Sequence, residues 1–460
     1  MKSTPFAALA FLLGALLSST SFAKPNIVLF VADDMGYADC GFTGCKDIAT
    51  PNIDALAKSG VRFTSGYTSG CVCSPTRAGL ISGRYQQRFG FDANAEGRPK
   101  PGVTDRGPRA LDLKQVTFAQ RMKTLGYATG IFGKWHVGAE DGYQPHQRGF
   151  DSTYCIYPFG LAGKGPNGET PPPVYRNGAV VATPKNHMEA FCAEALAFVD
   201  AHQKDPFLLY LPFTAVHGPF VGPQPWLDQQ DTAMPASRRR YGADLQQMDD
   251  IIGRVMARLR ALGLEENTLV FFFSDNGGPG GAADNGPLRG TKWTVWEGGI
   301  RVPFIASWKG RIPAGRVLDQ PVIQLDAAAT ALAAAGAELK PEWQLDGANL
   351  LPLLEGKTDA APHEALYWRF GIQYAVRQGD WKLVKPHIDL APRLHNLAQD
   401  IGEQNDVAAQ NPEKVKQLQA LWDAWNANNE PPRWIDERWN GDGAKEKKKA
   451  GKNAGKKKAQ

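Results

Sequence analysis

Several short stretches of this chain hold residue types that act on anions. Cys73-Ser74-Pro75-Thr76-Arg77 places a sulfur just ahead of a predicted helix beginning near Pro75. Unpaired backbone N–H groups and the positive end of a helix dipole face such a position, which suits an anionic substrate. Arg77 adds a cation one turn on. Taken alone, the stretch fits a buried structural cysteine equally well. Asp33-Asp34 and Asp275-Asn276 are hard oxygen donors of the kind that Ca²⁺ or Mg²⁺ prefers, although Asp33-Asp34 alone also fits a turn or a helix cap. No paired C-x-x-C spacing or His/Cys cluster points to zinc. Lys134 and His136 leave one strand at alternate positions and so share a face. His217 follows another strand, and histidine suits proton transfer near neutral pH. Each of these cations alone would also fit a satisfied surface group.

The elements that must position these residues follow one grammar. Continuous apolar, β-branched runs at 26–32, 128–132, 206–213 and 268–273 read as strands covered on both faces, and 301–308 as one more. Helices are predicted at 51–60, 118–125, 188–202, 240–262 and 322–335. Alternation of the two predicts an α/β fold, a large mostly parallel sheet sandwiched by helices. Nearly every candidate lies just past the carboxyl end of a strand, the edge where open parallel sheets keep their ligand crevice. From about residue 361 the texture changes to short alternating strands at 365–369, 374–377 and 381–384, then a helix at 413–426. This predicts a smaller antiparallel sheet with one helix. The expected division is 1–23, 24–360, 361–440 and 441–460.

Residues 1–23 read as a secretory signal peptide: Lys2, an apolar run from Phe6 to Leu17, and a small-x-small site at Ser21-Phe22-Ala23. The run is short for a membrane span, and no other segment is long and apolar enough, so an exported protein of periplasm or extracellular space is expected, not an integral membrane one. The net charge of +5 is carried by the ends. The segment 444–460 holds eight Lys and one Glu, and Lys2 adds one more, leaving a body of about −3. A uniformly basic nucleic-acid surface is thereby unsupported; the Lys-rich tail reads as solvated, disordered sequence. The six cysteines are Cys40, Cys45, Cys71, Cys73, Cys155 and Cys192; their pairing and the oligomeric state are not legible.

Cys73-x-Pro75-Thr76-Arg77, with Leu80 and Ser82-Gly83-Arg84 behind it, resembles the C-x-P-S-R and T-G-R signature of the type I sulfatases, within the alkaline phosphatase superfamily. Thr76 and Ser82 depart from it hydroxyl for hydroxyl. The resemblance runs from Pro25 to about Val407. It takes in, in the family's order, residues 26–36, Thr50-Pro-Asn-Ile-Asp54, Gly133-Lys-Trp-His136, Ser274-Asp-Asn-Gly277, Pro287-Leu-Arg-Gly290 with Lys292, and Glu297-Gly-Gly-Ile-Arg-Val-Pro303. It implies an alkaline-phosphatase-like fold and a formylglycine made from Cys73 by a maturation enzyme. A hydrated aldehyde has two geminal hydroxyls, one to attack sulfur and one to expel sulfate afterwards, a route closed to a simple Ser or Cys. The resemblance further implies one divalent cation, usually Ca²⁺ with Mg²⁺ possible, on Asp33, Asp34, Asp275, Asn276 and the Cys73-derived hydroxyl, acting as a Lewis acid. Lys134 would steady the hydrate, His136 would trigger sulfate release, His217 and Lys292 would meet the leaving oxygen, and Arg77 would orient the nucleophile. Arg289 and Glu297 are given no catalytic role.

The expected substrate is a sulfated carbohydrate, as for bacterial polysaccharide and glycan sulfatases. Residues 85–94 resemble a stretch of polysaccharide sulfatases, in which Gln87, Arg88, Asp92 and Asn94 could reach sugar hydroxyls or form ordinary loop structure. Trp135, Trp293 and Trp296 read as core ahead of sugar stacking. Two rivals stand beside this reading: a phosphatase or phosphonate monoester hydrolase of the same superfamily, and an inactive glycan-binding protein.

Overall fold

The computed structural model describes residues 24–95, 98–99, 108–157 and 172–436. The expected signal peptide and Lys-rich tail lie outside the described residues. The centre is a ten-stranded sheet in the order Arg316–Leu318, Val61–Phe63, Phe304–Ser307, Thr268–Ser274, Asn26–Ala32, Phe207–Pro212, Ala128–Lys134, Ser152–Ile156, Val174–Arg176 and Ala179–Val181. Asn26–Ala32 runs parallel to both neighbours, and Ala128–Lys134 likewise. Phe304–Ser307 is antiparallel to both of its own neighbours, as are the pairings beyond Ser152–Ile156.

The apolar runs explain the layering. In Asn26–Ala32 every residue is buried. Ile27, Leu29 and Val31 enter one core with Ala78, Ile81, Met122 and Leu332 from the helices Cys73–Ser82, Phe118–Thr124 and Leu325–Ala334. Val28, Phe30 and Ala32 enter the opposite core with Ile53, Phe191 and Ile251 from Pro51–Ser59, His187–Ala201 and Ala236–Ala261. Side chains alternating on a strand thus bind a helical layer to each face.

The helix expected at 322–335 begins later. Val322-Ile323 forms a short strand beside Gly66–Tyr67, and the Ile323 N–H is taken by Asp326 Oδ2 at 2.9 Å, so the helix is Leu325–Ala334. β-branched residues ahead of a first-turn carboxylate that takes the backbone N–H of residue 323 favour that split. The smaller sheet has a strand beyond those expected. Leu366–Phe370, Gln373–Gln378, Trp381–Lys385 and Arg393–Asn396 form an antiparallel meander, crossed by the helix Pro412–Asn426. It docks through a shared cluster holding Val72, Val295, Ile300, Trp368 and Trp425, so the small sheet lies against the segments that flank Cys73 and Lys292.

Candidate active site

The parallel register Ala32↔Ser274 sets Asp33-Asp34 beside Asp275-Asn276 at the carboxyl ends of adjacent strands. The Asp275 N–H donates to the Ala32 carbonyl at 3.0 Å, and the Asp33 N–H to the Ala215 carbonyl at 2.9 Å. The latter draws in the segment carrying His217. Ala128–Lys134 ends at Lys134 on the same edge. The helix Cys73–Ser82 points its N-terminus there, with Cys73 as its first residue and Pro75 within its first turn. Ser74, which has no place in the expected site, fixes that start: its N–H donates to Asn94 Oδ1 at 3.1 Å and its hydroxyl to the His136 carbonyl.

Ligand atoms of Asp33, Asp34, Cys73 and Asp275 all lie within 4.8 Å of one another, and all four residues are buried. The Cys73 thiol points at Asp33 Oδ1 (3.2 Å) and Asp34 Oδ1 (3.5 Å). Cations ring these carboxylates. Lys134 Nζ meets Asp33 Oδ2 at 2.8 Å, Lys292 Nζ meets Asp34 Oδ2 at 2.7 Å, and Arg77 clasps Asp275 Oδ2 with Nε at 2.9 Å and Nη2 at 2.7 Å. His217 Nε2 lies 3.4 Å from Asp34 Oδ2. His136 is buried. Asp34, His136 and Trp293 have φ of 65°, 63° and 77°, a left-handed region costly for such side chains, and such strain collects at functional sites.

The electrostatics follow from burial against this ring. Burial pulls the Asp33 carboxyl up, but Lys134, His217, Arg77 and Lys292 together hold it well below the usual range. Asp34 is lowered in the same way, chiefly by Lys292 and His217. Burial with Asp33 alongside pushes Asp275 up to about 6, against Arg77 and Lys134. Burial among these carboxylates pushes the Cys73 thiol well up. Three carboxylates against three cations leave a formally balanced site. Asn276 Nδ2 donates to Asp34 Oδ1 at 2.8 Å, while its Oδ1 is buried with no hydrogen-bond partner. A spare amide oxygen beside three carboxylates is the donor set of a hard divalent cation.

Comparisons with known proteins agree with this geometry. The family model described as Sulfatase matches residues 25–337, and that described as N-sulphoglucosamine sulphohydrolase, C-terminal, matches residues 291–427. The chain belongs to the sulfatase family. It is 34% identical over 379 residues to the dog N-acetylgalactosamine-6-sulfatase, covering 78% of this chain and 71% of that protein. Among solved structures it is similar to Ps i-CgsB in complex with k-i-k-neocarrahexaose, at 33% identity and a TM-score of 0.82 over 90% of this chain and 95% of that one. The PsFucS1 sulfatase from Pseudoalteromonas sp. superposes with a TM-score of 0.76 at 27% identity, over 88% and 90% of the two chains. The fold is thus that of the alkaline-phosphatase-like sulfatases, and the protein is a sulfuric ester hydrolase.

Not every expected contact falls in this sulfatase's site. Gln87, Asp92 and Asn94 are buried. Gln87 Nε2 donates to the Arg369 carbonyl, Asp92 pairs with Arg369 at 2.7 Å, and Arg88 pairs with Asp346 at 2.8 Å and lies over Trp425. This stretch joins the two sheets, so these groups are spent on protein and not free for sugar. Trp135 and Trp296 are core, as expected. Trp293 is half-buried beside Lys292, whose Nζ lies 5.2 Å from its ring centre. Arg289 Nη1 donates to the Glu403 carbonyl at 2.8 Å, and Glu297 pairs with Lys382 at 2.8 Å. A small cleft opens beside His217, lined by Lys185, His187, Thr214, Asp244 and Gln247 among others. These residues come from separate segments and carry no motif, so sequence reading passed over them. Among the described residues no two cysteines are joined in a disulfide.

Proposed function

We propose that this sulfatase hydrolyses sulfate esters on a sulfated carbohydrate, using a nucleophile made from Cys73 by a formylglycine-generating maturation enzyme, with one divalent cation, Ca²⁺ or Mg²⁺, held by Asp33, Asp34, Asp275, Asn276 and residue 73. The observation that carries the reading is the buried set of three carboxylates and Cys73, ringed by Lys134, Lys292 and Arg77. The cation, when bound, supplies a Lewis acid that polarises sulfate oxygen. Burial beside Asp275 and Asp33 pushes the Cys73 thiol well above its usual range. Lys134 holds Asp33 and steadies the group at residue 73. His136 takes the proton that triggers sulfate release. His217 and Lys292 stand where charge develops on the departing oxygen, and Arg77 fixes Asp275 and the helix bearing the nucleophile.

A carbohydrate substrate is supported by the names of the relatives, one acting on N-acetylgalactosamine 6-sulfate and one solved with a neocarrahexaose. We also propose export to the periplasm or beyond, on the pattern of residues 1–23. Among the described residues no helix is long and apolar enough to cross a membrane. The test is release of free sulfate from a panel of defined sulfated saccharides, using protein co-expressed with a maturation enzyme. An aryl sulfate and the matching aryl phosphate are compared in parallel; faster phosphate hydrolysis would overturn the assignment.

A further inference from the structure

Lys382 has no exposed surface, although it lies on the small sheet and outside the carboxylate cluster. Its ammonium sits between two buried carboxylates, Glu297 Oε1 at 2.8 Å and Glu403 Oε1 at 2.9 Å. Glu403 closes the triangle by accepting the Glu297 backbone N–H on Oε2 at 2.7 Å. The other Glu297 oxygen receives Tyr67 OH at 2.6 Å and Arg301 Nη1 at 3.1 Å. Burying such a triad gives little net stability, since desolvation cancels most of the attraction; the best-attested use of buried charge is to fix one arrangement over others.

The arrangement fixed here is that of the loop 290–297, which ends at Glu297 and presents Lys292. One side of this loop is bound to the reaction centre. The Lys292 N–H donates to the Gly278 carbonyl and the Trp293 N–H to the Cys71 carbonyl, both at 3.0 Å. The other side is held by the small sheet and the segment after it. Gln373 Nε2 donates to the Trp293 carbonyl at 3.1 Å, Arg289 Nη1 to the Glu403 carbonyl at 2.8 Å, and Lys382 grips Glu297. The loop has no slack. A Cβ on Gly298 would stand 2.3 Å from the Gly290 carbonyl oxygen, and one on Gly299 2.0 Å from that of Thr294. A shift at Glu297 is therefore passed along the backbone to Lys292.

We propose that Lys382, acting through Glu297 and Glu403, is a positioning residue for Lys292, making the C-terminal sheet a working part of the sulfatase site. This role rests on the reading that Lys292 meets the leaving oxygen. Misplacing a leaving-group cation penalises a sugar alcohol, which departs poorly, far more than a nitrophenolate, which needs little help.

The test compares wild type, Lys382→Met and Glu403→Gln on para-nitrophenyl sulfate and on a sulfated monosaccharide that the wild type hydrolyses. Thermal melting is used to select folded protein. Glu403→Gln keeps an oxygen for the Glu297 N–H and carries the test if Lys382→Met does not fold. The expected result is a fall in kcat on the sugar sulfate at least about tenfold larger than on the aryl sulfate, with KM changed by less than about threefold. Equal falls on both substrates, as a purely structural role gives, would overturn the proposal. So would unchanged kcat on both. A wild type that releases sulfate neither from para-nitrophenyl sulfate nor from any sulfated monosaccharide tried would instead sink the sulfatase reading, and the positioning role with it.

Discussion

Asp275→Asn separates the charge of this carboxylate from its shape. Asp275 is fully buried, its Oδ2 taken by Arg77 and its Oδ1 by the Asp34 N–H at 3.1 Å. Asparagine fills the same volume but removes one of three negative charges whose ligand atoms lie within 4.8 Å of one another. At an effective dielectric of about 20, two unit charges about 4 Å apart interact by about 4 kcal/mol, and a unit charge with a divalent cation by about 8 kcal/mol. The change also leaves Arg77 with the more distant Asp33 as its carboxylate neighbour, at 3.7 Å, beside the Lys134 carbonyl that Nη1 meets at 3.1 Å, so a less well balanced guanidinium opposes a bound cation. Reorganisation returns part of this, and a net loss of about 3 kcal/mol corresponds to roughly 100-fold in Ca²⁺ affinity. The readout needs no turnover. A ligand at 100 times its Kd stabilises the folded chain by about 2.7 kcal/mol, and one bound 100-fold more weakly at the same concentration by only about 0.4 kcal/mol. Thermal melts of both proteins at pH 7.5, from chelator to millimolar Ca²⁺, should show a clear upward shift in wild type and little in the variant. Equal shifts with equal midpoints would refute a role for the Asp275 charge in holding the cation.

Two further perturbations probe the scaffold. Burial pushes Glu403 up to about 7, with Glu297 adding to the rise and Lys382 opposing it, so the folded chain keeps a proton that the unfolded chain gives up at ordinary carboxyl pH. Its contribution to stability therefore falls as pH rises from about 4.5 to 7, by up to about 3 kcal/mol; Glu297, held down to about 2 by Lys382, Arg301 and Arg377 against its burial, loses its contribution only as pH falls towards that value. Glu403→Gln should gain on wild type across pH 4.5 to 7 in chemical denaturation, and parallel stability–pH curves would contradict this. Gly277→Ala forces a Cβ to within 1.9 Å of the Gly298 carbonyl oxygen; a stability loss of at least about 1–3 kcal/mol is expected from such overpacking, read from the denaturant midpoint, and an unchanged midpoint would show that the loop yields freely.

The central strands were legible because each carries a continuous apolar run bounded by polar or turn residues, the pattern of a strand covered on both faces. The site was legible for a related reason: Asp33, Lys134 and Asp275 each follow or end such a run at its carboxyl end, and the sheet brings these ends to one edge, with Asp33 and Asp275 on adjacent strands and Lys134 reaching Asp33 across one strand. What failed to show were pairings with no local pattern. Gln87, Asp92 and Asn94 look like solvent-facing loop residues until Arg369, 277 residues beyond Asp92, takes up the Asp92 carboxylate. Lys382 reads as a polar position of a short alternating strand; only the fold brings it to Glu297, 85 residues away. Val322-Ile323 continued an apolar helical pattern, and the Asp326 carboxylate that ends the strand could equally sit on a helix surface. The lining of the cleft beside His217 comes from separate segments, so no spacing rule reaches it.

The central claim is that turnover originates at residue 73. Cys73→Ala removes the sulfur that points at Asp33 and Asp34 while leaving the carboxylates, Lys134, Lys292 and His217 in place. Sulfate release from a sulfated saccharide that the matured wild type hydrolyses, measured for this variant beside its calorimetric affinity for the same saccharide, is the most direct test. The account predicts no detectable turnover with binding within a few-fold of wild type. Substantial residual sulfate release by the folded variant would contradict it.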